Sequence, residues 1–220
     1  MHGGNWNSGR KELYSFFGNR WARKDVLTVI VDYPKSPKAN YDEMAVDIAT
    51  AVKWVKENIS KYGGDPNKIF ISGHSAGGHL AALVAIKKDY FNSVGIANPL
   101  KGIILIDAAG LDMYGYLKAE GFEPGNTYLN TFSNDPTKWK DASPLYFLHN
   151  NMPPMLIYRG GKTYSSIEES NEKFVTALKD FLPNANYKIL AGKKHVAMIT
   201  QFFNTRNKLY EEIISFINKQ

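Results

Sequence analysis

The residues with the clearest capacity for chemistry form a short serine motif, Gly73-His74-Ser75-Ala76-Gly77. It matches G-x-S-x-G, follows an apolar run typical of a strand and precedes a helix-like segment. In such a turn the serine hydroxyl points away from the sheet, and the flanking glycines avoid side-chain clashes. The pattern predicts that Ser75 is a nucleophile and that the amide of Ala76, at the start of a helix, binds a developing oxyanion.

A glycine pair near the start of the chain is the natural complement of this motif. His2-Gly3-Gly4-Asn5-Trp6 precedes the serine by about 70 residues. Tandem glycines let backbone N–H groups turn into a cavity, which an acyl-transfer site needs opposite its nucleophile. We therefore expect the amides of Gly3 and Gly4 to complete the oxyanion hole with Ala76. Trp6 is a candidate substrate contact, with ordinary packing as the alternative.

The elements that must position these residues alternate between strands and helices. Short apolar runs predict strands at Val26–Val31, Lys68–Ser72, Gly102–Ile106, Met155–Tyr158 and Tyr187–Leu190. Apolar periodicity predicts helices at Tyr41–Ile59, Ala76–Lys87, Ile167–Leu182 and Phe202–Ile217, the first capped by Asn40 with Glu43. This alternation predicts an α/β fold, a mostly parallel sheet with helices on both faces. Residues 110–151, rich in Gly, Pro, Asn and Tyr, are expected to form a cap or long loops.

Composition narrows the classes of protein to consider. A chain of 220 residues predicts one domain, residues 1–220, and 44% hydrophobic residues are ordinary for a globular protein. The sequence contains no run of 18 apolar residues, so no membrane span is expected, and it shows no signal-peptide pattern. The absence of cysteine excludes thiolate chemistry. The net charge of +6 is spread along the chain without a basic stripe, so no nucleic-acid partner is expected.

Taken together, the motifs resemble the carboxylesterase branch of the α/β hydrolases. That branch includes hormone-sensitive-lipase-like esterases, feruloyl and acetyl-xylan esterases and kynurenine formamidases. HGGNW resembles the oxyanion motif and YGGDPNKIFISGHSAGGHLAAL the elbow region, and the similarity continues through SPL at 143–145 and MPPMLIYRGG at 152–161. The resemblance implies an α/β-hydrolase fold and a serine hydrolase without metal or cofactor. It also implies that His195, after the last predicted strand, is the general base.

The sequence departs from the family pattern at the acid. The family carries an aspartate just after the strand that corresponds to Met155–Tyr158, whereas this chain has Thr163 at that place. Glu168 is the first candidate to replace the missing acid, although a helix-capping role with Ser165 is an alternative. Asp112, after the predicted strand Gly102–Ile106, is the second candidate, because loops that follow neighbouring strands converge at one end of a sheet.

A second departure lies at the start of the chain. The related proteins carry about three strands before the glycine pair, and one of these lies between the strands that correspond to Val26–Val31 and Lys68–Ser72. The chain is therefore expected to lack these N-terminal strands, either because it is a fragment or has a misplaced start, or as a variant that fills the gap in another way. Two rows of backbone groups are expected to remain unpaired, which favours aggregation.

The sequence as a whole predicts a serine hydrolase that cleaves a small carboxylic ester through an acyl-serine intermediate. One alternative is an amidase acting on an aryl formamide, which the same site would serve. The other is a non-catalytic binding protein that lost activity together with its acid.

Overall fold

A parallel sheet of four strands forms the centre of the fold. The computed structural model describes residues 1–220. The strands are β1 Ile69–His74, β2 Leu100–Ile106, β3 Met155–Gly160 and β4 Asn186–Leu190. They lie side by side in chain order, each parallel to the next. Four of the five predicted strands are thus confirmed, and each of their ends lies within two residues of the predicted one.

Nine α-helices connect or flank these strands. They are α1 Ser15–Ala22, α2 Tyr41–Asn58, α3 Ala76–Ile86, α4 Asp89–Ser93, α5 Met113–Glu120, α6 Thr127–Phe132, α7 Ser165–Leu178, α8 His195–Thr200 and α9 Leu209–Asn218. Asn40 and Glu43 form the predicted capping box of α2. The closing helix begins later than predicted, because Asn207 accepts a hydrogen bond from the Leu209 amide and so starts a new helix there. No helix is both long enough and apolar enough to cross a membrane.

The two faces of the sheet bury separate cores, as the alternation of side chains along a strand requires. One face carries Ile71, Ile103 and Ile157 into a core shared with α2, α3, α5, α6 and α7. The other carries Ile106 and Tyr158 into a core shared with α1, α8 and α9. The segment 110–151 contributes buried side chains to the first core, so it packs into the body of the fold.

The predicted strand Val26–Val31 does not form. None of the amides of residues 27–31 donates a backbone hydrogen bond, and Leu27 and Val29 are exposed. A mainly apolar cavity of about 650 Å³ is lined by this segment on one side and by β1 on the other. The only backbone pairing to β1 from this side is made by Met1, whose amine donates to the Ser72 carbonyl and whose carbonyl accepts from the His74 amide. Residues Val26–Val31 have the composition of a buried strand but no neighbouring strand with which to pair.

Candidate active site

Ser75 lies in a strained turn between β1 and α3. Its φ of 56° and ψ of −124° place a non-glycine residue in a region that costs on the order of 1–3 kcal/mol. A Cβ on Gly73 would lie 2.1 Å from the Gly77 carbonyl oxygen, and one on Gly77 would lie 2.4 Å from that of His2. Both positions therefore require glycine, and the turn presents the Ser75 hydroxyl at the carboxyl end of β1.

His195 meets the serine from the opposite end of the chain. It is the first residue of α8, and its Nε2 lies 2.8 Å from Ser75 Oγ. The side chain is 13% exposed, so it is largely shielded yet reachable from solvent. The structure thus brings together the two residues that the sequence predicts as nucleophile and base.

Asp107 is the carboxylate that contacts the histidine. It follows β2 directly, is fully buried, and its Oδ2 lies 2.6 Å from His195 Nδ1. The Gly160 amide donates to Oδ1 at 2.7 Å, and the Thr163 hydroxyl donates to Oδ2 at 2.5 Å. A buried carboxylate needs such partners because an unpaired charge in the interior is costly. Ser75, His195 and Asp107 therefore form one continuous hydrogen-bonded chain.

The two acids proposed from the sequence lie elsewhere. Glu168 is in α7 and pairs with the buried Arg159 guanidinium, so it does not reach His195. Asp112 accepts the Gly115 amide at the start of α5 and pairs with Lys173 at 3.2 Å. The assignment of the acid to Glu168 is therefore corrected to Asp107. The alternative role of Glu168, a capping box with Ser165, does not form either, because Tyr164 is the N-cap of α7 and Ser165 is its first helical residue.

The position of Thr163 explains how the departure from the family pattern is accommodated. β2 and β3 are neighbours, and Ile106 is level with Tyr158 in their register. The residues that follow them therefore meet at one edge of the sheet. The carboxylate that contacts His195 comes from the end of β2 instead of β3, and Thr163 donates a hydrogen bond to it. A carboxylate directly after the strand next to the serine was the sequence signal for Asp107.

The predicted oxyanion donors differ in their availability. Gly3 is packed against the nucleophile, since a Cβ on it would lie 2.9 Å from Ser75 Cβ. Its amide already donates to the Tyr14 hydroxyl at 3.0 Å, so Gly3 is not a free donor and that expectation is corrected. The amides of Gly4 and Ala76 donate to no group of the protein. These two remain available to a ligand beside Ser75.

Trp6 does not line an open site. It is 2% exposed, and its ring packs edge-on against Phe132 and His79. Its indole N–H donates to His79 Nδ1 at 3.1 Å, and His79 Nε2 in turn bonds the Ala142 carbonyl at 2.7 Å. Burial lowers the pKa of His79 to about 4, which keeps this ring neutral. The substrate-contact interpretation of Trp6 is therefore wrong, and the residue anchors the glycine loop to α3.

The arrangement suits acyl transfer. A serine hydroxyl with a base at hydrogen-bond distance, and an acid that orients the base, are the parts of a nucleophilic triad. No group of three or more His, Cys, Asp or Glu side chains is placed to hold a metal ion. The groups at hand are thus a nucleophile, a proton carrier and backbone donors.

Comparison with known sequences identifies the family of this chain and relatives that are named as esterases. The BD-FAE family model matches residues 1–178. The isoprenylcysteine alpha-carbonyl methylesterase of Arabidopsis thaliana is 27% identical, over 99% of this chain and 55% of that protein. Esterase LipQ of Mycobacterium tuberculosis is 31% identical, over 84% of this chain and 48% of that protein. The chain thus spans about half the length of these relatives.

Solved structures show the same fold. The apo form of Thermogutta terrifontis esterase 2 superposes with a TM-score of 0.76 at 22% identity, covering 96% of this chain and 81% of that one. Esterase B from Lactobacillus rhamnosis gives 0.78 at 16% identity, covering 99% and 73%. The α/β-hydrolase fold expected from the sequence is confirmed.

Proposed function

This chain belongs to the BD-FAE family, and we propose that it is a serine hydrolase that cleaves a small carboxylic ester through an acyl-serine intermediate. One observation carries the proposal. Ser75 Oγ, His195 Nε2, His195 Nδ1 and Asp107 Oδ2 form an unbroken chain with links of 2.8 and 2.6 Å. The naming of relatives as esterases supports the same reaction class.

The first half of the reaction forms the acyl-serine. His195 Nε2 takes the proton of Ser75 as Oγ attacks the ester carbonyl carbon, and Asp107 stabilises the resulting imidazolium. The amides of Gly4 and Ala76 donate to the oxyanion that develops on the carbonyl oxygen. When the C–O bond to the alcohol breaks, His195 returns the proton to the leaving oxygen.

The second half releases the acid. His195 takes a proton from water, the hydroxide attacks the acyl carbon, and the proton passes to Ser75 as the ester bond to the enzyme breaks. The same groups serve both halves, which is why one histidine suffices. This reaction needs nothing beyond the residues at the site and a water molecule.

The unbroken hydrogen bonds from Ser75 through His195 to Asp107 also argue against a non-catalytic binding protein. That alternative depends on a lost acid, and Asp107 supplies one from a neighbouring strand. We further propose that residues 1–220 act as a single domain, since residues from both ends of the chain meet at the site: Gly3 lies against Ser75, and His195 bonds it.

Turnover of p-nitrophenyl acetate tests the proposal. We expect activity in the wild-type chain and its loss in both Ser75→Ala and His195→Ala, with melting temperatures close to that of the wild type. An aryl formamide assayed in parallel separates amidase from esterase specificity. Retention of more than a tenth of the activity by Ser75→Ala would remove this residue from the mechanism.

A further inference from the structure

A tyrosine that is not part of the triad links the glycine loop, through His74, to the backbone of His195. Tyr14 ends a short 3-10 helix, Lys11–Tyr14, and its hydroxyl lies 3.0 Å from the Gly3 amide and 2.8 Å from His74 Nδ1. His74 immediately precedes Ser75, and its Nε2 lies 3.2 Å from the His195 carbonyl oxygen. The two side chains therefore span the distance between the glycine loop and the backbone of the base.

We propose that Tyr14, acting through His74, is a positioning residue that fixes the glycine loop and the general base relative to each other. The proposal rests on the proposed function, since it assigns a role in that same reaction. Neither side chain touches the reacting atoms. Their role is to keep the glycine loop and the His195 imidazole, which do act on the substrate, in the correct relative position.

The direction of every hydrogen bond in this link is determined. The His195 carbonyl can only accept, so His74 Nε2 carries a hydrogen, and in a neutral imidazole Nδ1 is then an acceptor. Tyr14 must then donate its hydroxyl hydrogen to Nδ1, and its oxygen accepts from the Gly3 amide. The series of hydrogen bonds therefore runs from the Gly3 N–H through the Tyr14 hydroxyl and the His74 ring to the His195 carbonyl.

The protonation states of both residues agree with this assignment. His74 is 5% exposed, and burial together with the nearby His195 lowers the pKa of its imidazole to about 4. Burial raises the pKa of the Tyr14 hydroxyl. His74 is thus neutral and Tyr14 protonated at neutral pH, and in these states each of the four groups has a hydrogen-bond partner of the correct kind.

Packing adds to the hydrogen bonds. The rings of His74 and His195 are stacked, with centroids 4.7 Å apart and planes inclined by 28°. A neutral His74 ring beneath His195 supports it without placing a second positive charge against the imidazolium that forms during the reaction. A Cβ on Gly3 would lie 3.2 Å from His74 Nδ1, so the glycine loop also packs closely against His74.

The test is Tyr14→Phe, which removes a single oxygen and keeps the ring. Because oriented reacting groups are sensitive to small displacements, kcat for p-nitrophenyl acetate should fall by about tenfold with KM within about twofold. The second-order rate of Ser75 labelling by a fluorophosphonate should fall by a similar factor. Tyr210→Phe is the matched control, since it removes a buried hydroxyl that donates to the Phe202 carbonyl at 2.6 Å and that bonds neither Gly3, His74 nor His195.

A double variant tests the link itself. His74→Phe keeps a stacking ring and removes both hydrogen bonds, so adding it to Tyr14→Phe should cost no more than the larger single effect. An unchanged kcat in Tyr14→Phe, a loss of kcat in Tyr210→Phe equal to it, or additive effects in the double variant would each overturn the proposal.

The two readouts separate this inference from the proposed function. If the wild-type chain labels at Ser75 but hydrolyses no ester, the esterase proposal fails and the labelling rates alone decide the role of Tyr14. If the folded wild-type chain neither labels nor hydrolyses, there is no activated serine for Tyr14 to support, and both proposals fail.

Discussion

The substitution Asp107→Asn is the sharpest single change to the site. An asparagine at this buried position keeps the size of the side chain and can still accept the Gly160 amide through its oxygen. Its NH2 group then faces His195 Nδ1, where Asp107 Oδ2 lies at 2.6 Å. A donor at that place forces the imidazole proton onto Nε2, which can no longer accept the proton of Ser75.

The magnitude follows from this loss of the correct tautomer. In serine hydrolases the equivalent change lowers kcat by about 10⁴, or roughly 5.5 kcal/mol of barrier. We expect a similar fall for p-nitrophenyl acetate, with KM little changed because Asp107 touches no substrate. Thr163 can rotate its hydroxyl to accept from the new amide, so the melting temperature should change little.

A matched control separates the two candidate acids. Glu168→Gln makes the same carboxylate-to-amide change on a residue that contacts Arg159 and not His195. Its kcat should stay within about twofold of the wild type, because Glu168 does not contact His195 and because a partly exposed ion pair contributes little to the free energy of unfolding. Retention of more than a tenth of the activity by Asp107→Asn, or a large loss in Glu168→Gln, would refute the assignment of the acid.

Three further results are expected. Thr163→Val removes the hydroxyl donor to Asp107 and should lower kcat about fivefold, the equivalent of about 1 kcal/mol; an unchanged kcat would show that this hydrogen bond does not support the acid. Burial lowers the pKa of His79 to about 4, well below the value of about 6.5 in the unfolded chain. The unfolded chain therefore binds a proton first as the pH falls, so the free energy of unfolding is highest above about pH 6.5 and drops by on the order of 3 kcal/mol as the pH approaches 4. Thermal melting at pH 7 and 4.5 should show this loss, and His79→Gln should show a smaller one; equal losses would contradict the argument. An exposed, unpaired apolar segment invites association with another chain, so Val29→Lys, which places a charge on residues 26–31, should raise the monomeric fraction in size-exclusion chromatography without changing kcat; an unchanged monomeric fraction would mean that residues 26–31 do not mediate association.

The sequence predicted the parts of the fold that local physics determines. Strands β1, β2 and β3 each contain a run of apolar residues, and α2 carries its own capping box. The turn at Ser75 was predictable for the same reason, because Gly73 is required by a contact with Gly77, four residues away in the sequence. Local patterns of this kind do not depend on what lies across the fold.

The acid was missed because its identity depends on contacts far apart in the chain. Asp107 reaches His195 across 88 residues of sequence, and only the adjacency of β2 and β3 brings Thr163 to it. Glu168 lies near the expected position in sequence, but the buried Arg159 attracts it, and no sequence pattern showed that this arginine is buried.

The strand prediction at 26–31 failed for a complementary reason. Its composition is that of a strand, but a strand is stable only with a partner, and a cavity lies where the partner would be. Trp6 was misassigned because an aromatic residue beside an oxyanion loop suits a core as well as a pocket. Its hydrogen bond to His79 decides in favour of the core.

Covalent labelling of the wild-type chain by a fluorophosphonate, followed by peptide mapping, tests the central claim most directly. The claim is that His195 and Asp107 activate Ser75 as a nucleophile. We predict a single adduct on the peptide that contains Ser75, formed much more slowly in Asp107→Asn than in Glu168→Gln. A folded wild-type protein that remains unlabelled, or that carries its adduct on another residue, would contradict the account.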